Sequence, residues 1–157
     1  MNQMTFSVNP SKESISPVVS MLFLRNEKCC EKYPKRNVPS KNRVSFCVDN
    51  QFILAHKQLE ILSSLEENWD GYGSKPMSEA AVNTAEELLT RLPYAPMIYP
   101  VSGGGIQFEY EINDKYLEFE ILDDGKIKLF SSNSGEETER IIQLREARGW
   151  VNGFYFS

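Results

Sequence analysis

Between residues 55 and 130 the apolar positions change period, from one suited to a helix to one suited to a strand. Ala55, Leu59, Leu62, Leu65 and Trp69 recur at spacings of four, three, three and four, which places them on one face of an amphipathic helix. Asn68 to Ser74 ends that helix, because Gly71 and Gly73 allow the positive φ angles of a sharp turn. Pro76 and Ser78 open a second helix, with Ser78 as N-cap and Glu79 at its positive end. Its apolar stripe is Val82, Ala85, Leu89 and Leu92, and Pro93 stops it. The two together predict a helical hairpin.

From Met97 the period is two. Met97 to Val101 reads as an edge strand, since Pro100 cannot donate to a ladder, and Ser102 to Gly105 reads as a turn. Ile106, Phe108, Tyr110 and Ile112 alternate with Gln107, Glu109 and Glu111. Leu117, Phe119 and Ile121 alternate with Tyr116, Glu118 and Glu120; after Asp123-Asp124-Gly125, Ile127 and Leu129 alternate with Lys126 and Lys128. A two-residue turn at Asn113-Asp114 sets Phe108 opposite Phe119, Ile106 opposite Ile121 and Glu109 opposite Glu118. A three-residue turn ending at Gly125 sets Ile121 opposite Ile127 and Glu120 opposite Lys128. Both registers hold every apolar side chain on one face, and a one-residue slip would expose them.

Beyond the meander, Ser134 to Arg148 reads as a third helix ended by Gly149, with Trp150 to Phe156 docking as an aromatic tail. Before it, Arg43 to Val48 reads as a strand holding Cys47, and Lys32 to Lys41 as a basic, proline-bearing loop. Ser16-Pro17 with Val18 to Leu24 fits a short helix or a buried strand equally well. The expected organisation is an N-terminal arm over residues 1–50 and a domain over residues 51–157. Its class is α+β: a helical hairpin and a C-terminal helix packed on an antiparallel β-meander of three to four strands.

Composition adds little to this, at 157 residues with 41% hydrophobic and 25% charged. No apolar run approaches the roughly 18 residues that span a bilayer, and Met1 to Pro17 lacks the basic start and apolar core of a signal peptide. A cytoplasmic protein is the expectation, with Cys29, Cys30 and Cys47 as reduced thiols. Charge changes the picture more. Residues 1–50 carry eight Lys/Arg and four Asp/Glu, while residues 51–157 carry nine and eighteen, a net of +4 against −9. Such asymmetry marks an arm and a body that neutralise each other, or surfaces for partners of opposite sign.

Candidate chemistry is sparse. His56, the one histidine, falls on the first helix beside its apolar stripe, so Ser–His or Cys–His catalysis has a single base to draw on. A zinc site lacks ligands, and no cofactor is expected. Gly103-Gly104-Gly105 precedes a strand where a phosphate loop needs a helix N-terminus. Asp70-Gly-Tyr-Gly73 lacks the repeated acidic ligands of a calcium loop. What remains is a sheet face bearing Glu109, Glu111, Glu118 and Glu120 beside Gln107 and Tyr116, and Tyr72 between two glycines.

Three blocks, Asn68-Trp-Asp-Gly-Tyr-Gly-Ser-Lys-Pro-Met-Ser78, Gly104-Gly-Ile-Gln-Phe-Glu-Tyr110 and Leu117-Glu-Phe-Glu-Ile121, resemble a group of small bacterial proteins with a Trp-Asp-Gly-Tyr-Gly domain. These domains are found in chromosomes and mobile elements, and have no established activity. The resemblance spans roughly residues 59–130. It implies the hairpin-plus-meander architecture and a bacterial or phage origin.

The resulting expectation is a non-catalytic protein-interaction module, an accessory or inhibitory protein that docks a basic partner through Tyr72, Glu109, Glu111, Glu118 and Glu120. The alternative is a nucleic-acid contact through Arg25, Lys28, Lys32, Lys35, Arg36, Lys41 and Arg43, with Tyr33 and Phe46 as its aromatics. A third reading is a small hydrolase using the sheet carboxylates.

Overall fold

The computed structural model describes residues 40–156, with side chains from residue 50 onward. Val18 to Leu24, Cys29 and Cys30 lie outside the described residues, as does the expected loop from Lys32 up to residue 39. Among the described residues three helices and five strands follow one another: α1 (Ser40–Ser63), α2 (Glu79–Arg91), β1 (Met97–Val101), β2 (Gly105–Ile112), β3 (Lys115–Ile121), β4 (Ile127–Asn133), β5 (Glu136–Ile142) and α3 (Leu144–Phe156). The five strands form one antiparallel sheet in the order β1-β2-β3-β4-β5, and the fold is α+β.

The registers of the central hairpins follow the turn chemistry. Phe108 pairs with Phe119, Ile106 with Ile121 and Glu109 with Glu118. Ile121 pairs with Ile127 and Glu120 with Lys128. β1 is an edge strand, as Pro100 requires.

Alternation then divides the sheet into two faces. The inner one buries Ile98, Ile106, Phe108, Leu117, Phe119, Ile121 and Leu129 under the helices. α1 packs on β1 and α2, α2 on β2 and β3, and α3 on β3 and α2. Each fully buried Phe or Leu contributes about 1.5–3 kcal/mol of transfer free energy, so this single layer of contacts dominates the stability.

The helices meet that face through Ala55, Leu59 and Leu62 of α1, and Ala81, Ala85, Leu88 and Leu89 of α2. The α2 stripe is therefore turned by about one residue from the expected one, with Val82 only half-buried and Leu92 buried at the C-cap. Ser78 caps α2 as expected: its hydroxyl accepts the Ala81 N–H at 3.0 Å. Tyr110 ties the far end of the core, its hydroxyl donating to the Tyr94 carbonyl at 2.8 Å. Tyr155 stacks on Tyr94 with ring centroids 4.2 Å apart.

Four expectations are corrected. Arg43 to Val48 is helical, part of α1, which runs unbroken through Asn50. Alternating β-branched residues are a weak preference, and extending a nucleated helix is easier than starting a strand. α1 ends at Ser63, so Leu65 and Trp69 reach the core from the loop beyond it.

The sheet has five strands, where three to four were expected, because the expected helix over Ser134 to Arg148 forms only from Leu144 onward. Ser134 and Gly135 take φ of 52° and 87°, a two-residue turn with both residues left-handed, and return the chain as β5 against β4. Finally, Gly149 does not end α3. The helix begins at Leu144, where the Glu146 carboxylate accepts the Gln143 N–H at 2.8 Å, and it carries Val151 and Phe154 into the core.

Candidate functional site

Two features stand out from this frame, and they differ in kind. The first is the loop between α1 and α2, whose residues are consumed by their own architecture. Asn68, at φ 63°, donates its N–H to the Ser74 carbonyl at 2.7 Å and accepts the Gly73 N–H on its side chain at 2.7 Å. The Asp70 carboxylate accepts the Tyr72 N–H at 2.8 Å, the Ser74 N–H at 3.3 Å and the Ser74 hydroxyl. The Ser74 hydroxyl and the two N–H bonds hold the Asp70 pKa below its ordinary value. The Trp69 indole N–H donates to the Lys75 carbonyl at 3.0 Å.

The loop is then fastened to the sheet. Lys75 N–H donates to the Ser102 carbonyl and Ser78 N–H to the Gly104 carbonyl, both at 2.9 Å. The Ser78 hydroxyl reaches the Asp123 carbonyl at 2.7 Å. One end of the domain is thus a knot of the α1–α2 loop, the β1–β2 turn and the β3–β4 turn. Tyr72 projects from this loop, at 86% exposure.

The second feature is the outer face of the sheet, opposite the helices. Strand pairing arranges it as a grid. One rung reads Met97, Glu109, Glu118, Phe130, Glu139 from β1 to β5, and the next Tyr99, Gln107, Glu120, Lys128, Ile141. Glu111, Tyr116, Ser132 and Glu137 form a third.

The carboxylates on this grid are held in place. Tyr116 donates its hydroxyl to Glu118 at 2.7 Å, and Gln107 donates to Glu109 at 2.5 Å. Lys128 bridges Glu139 at 2.9 Å and Glu120 at 3.9 Å. Partial burial raises the Glu109 pKa; a hydrogen bond from Tyr116 opposes the shift, and the Glu118 and Glu111 charges add to it. Burial also pushes the Tyr116 phenol well above its ordinary range, so it stays a hydrogen-bond donor.

The structure therefore brings Glu109, Glu111, Glu118 and Glu120 onto one face and sets Tyr72 apart, on the loop. Sequence reasoning missed the apolar part of the face. Phe130 was legible, because it continues the outward alternation of Lys126 and Lys128. Ile141, at 57% exposure, was hidden by the helical reading of β5, and Met97, at 42%, by the absence of a register for β1.

His56 is exposed on α1. Of the basic residues assigned to nucleic acid, Lys41 and Arg43 lie on α1 and the others lie outside the described residues. Among the described residues no helix is long and apolar enough to cross a membrane. A groove of about 570 Å³ opens on the inner side, between α3 and β3–β4, with Leu117, Trp150 and Phe154 against Lys115, Ser131 and Asn133. No family model matches the chain, and no curated protein or solved structure matches it either.

Proposed function

We propose that this protein is a non-catalytic interaction module that docks a basic protein partner on the outer face of its sheet. The observation that supports this is the charge of that face. Six carboxylates, Glu109, Glu111, Glu118, Glu120, Glu137 and Glu139, share that face with one strand cation, Lys128. Like charges directly opposite, as at Glu109 and Glu118, disfavour the sheet by roughly 0.2–1 kcal/mol. A docked cation relieves that repulsion, and complementary charge speeds encounter and excludes acidic competitors. Tyr72 belongs to the same reading as an exposed aromatic on a hydrogen-bonded loop, the kind of anchor that interfaces favour. Cytoplasmic localisation and a role as an accessory or inhibitory protein of a mobile element complete the proposal.

The test is capture of partners from host lysate by the wild-type protein and by a Glu109/Glu111/Glu118/Glu120→Gln variant of equal thermal stability. A protein with a basic surface, retained by wild type, released by salt and lost with the variant, supports the reading. Equal retention by both overturns it.

A further inference from the structure

We propose that the outer sheet face is selective for arginine, with Phe130 as the platform on which a partner's guanidinium stacks between Glu118 and Glu139. This deepens the docking reading and rests on it. The three residues are successive members of one rung, Glu118 paired with Phe130 and Phe130 with Glu139. Neighbouring strands lie about 4.8 Å apart, so a planar cation centred over the ring has a carboxylate within reach on either side.

The surroundings favour the same cation. The Tyr116 ring lies 6.0 Å from that of Phe130, widening the aromatic surface, and its hydroxyl fixes the Glu118 carboxylate. Lys128 positions Glu139 from the adjoining rung. Ile141, exposed on the neighbouring β5, supplies apolar area for the methylene stem. Arginine exploits such a place better than lysine does. Its guanidinium is flat, weakly hydrated and forked, so it stacks on an aromatic while donating to carboxylates at its edges. An ammonium holds its water and gains only the charge. The partner is accordingly a protein segment that presents arginine side chains to this face.

The experiment is an NMR titration of the isotopically labelled full chain with two synthetic peptides, one of four Arg-Ser repeats and one of four Lys-Ser repeats. The expected result is amide shifts centred on Phe130, with the arginine peptide binding at least about threefold tighter. Phe130→Leu should abolish that preference, leaving the lysine peptide's affinity unchanged, and Phe130→Tyr should preserve it. Thermal melts of both variants check that the sheet is intact. Equal affinity of the two peptides for the outer face overturns arginine selectivity and leaves the docking reading standing. Absence of outer-face shifts with either peptide at millimolar concentration overturns both.

Discussion

Gly104 lies directly beneath the carbonyl of Pro76: a β-carbon placed on it would come within 2.9 Å of that oxygen. Its φ of 92° is closed to other residues as well, and its own carbonyl accepts the Ser78 N–H. The β1–β2 turn and the α1–α2 loop therefore touch backbone to backbone, with no side chain between them to yield. Gly104→Ala should cost about 2 kcal/mol or more, from backbone strain alone. Gly103→Ala, with open space and no positive φ, should change stability by less than about 0.5 kcal/mol. Urea denaturation of the pair measures the difference, and equal midpoints would mean that the loop is not clamped there.

Asp70 organises the same loop as an ionised acceptor. Its pKa is lowered in the fold, so its contribution is fully present above the ordinary value of 3.8 and lost as pH falls through the folded value. Asp70→Asn should be less stable than wild type at pH 6, and the gap should narrow below pH 3.8. Thermal melts from pH 6 to pH 2.5 read this directly. A gap that is constant across the range would show that the lost bonds, and not the charge, set the effect.

Glu109 runs the other way. Its folded pKa is raised above 4.5, so the protonated form favours the fold and the charged form opposes it. That favourable contribution is complete below pH 4.5 and lost as pH rises through the folded value. Glu109→Gln should therefore melt higher than wild type at pH 7, by a few degrees at most, and converge with it at pH 4. A variant that melts lower at pH 7 would show that the carboxylate's bonds with Gln107 and Tyr116 outweigh its desolvation and the facing Glu118.

Tyr72 separates stability from recognition. At 86% exposure its side chain has little burial to lose, so Tyr72→Ala should shift the unfolding free energy by less than about 0.5 kcal/mol. As an anchor it should weaken partner binding by tenfold or more. Calorimetry against the captured partner measures the second quantity, and unchanged affinity would confine the interface to the sheet.

The acidic face was legible because strand alternation and two short turns fix the register without any distant contact. Once Asn113-Asp114 and Asp123 to Gly125 are read as turns, Glu109 must face Glu118 and Glu120 must face Lys128. Phe130 between Glu118 and Glu139 was not legible as a trio, because its third member sits on a strand that the sequence disguises. Glu136-Glu-Thr-Glu-Arg140 is as suited to a solvated helix as to an exposed edge strand, and only the left-handed pair Ser134-Gly135 decides between them.

By itself the sequence determined the local geometry of this protein: the registers of the two central hairpins, the N-cap at Ser78 and the acidic outer face. Each depends on side-chain period or on residues within a few positions of one another. Tertiary structure alone decided that the α1–α2 loop is a clamp, where Lys75 and Ser78 bind Ser102, Gly104 and Asp123. It alone carried Val151 and Phe154 of α3 into the core. Those outcomes depend on which distant backbone groups find partners, and a hydrogen bond between residues far apart leaves no period in the chain to be read.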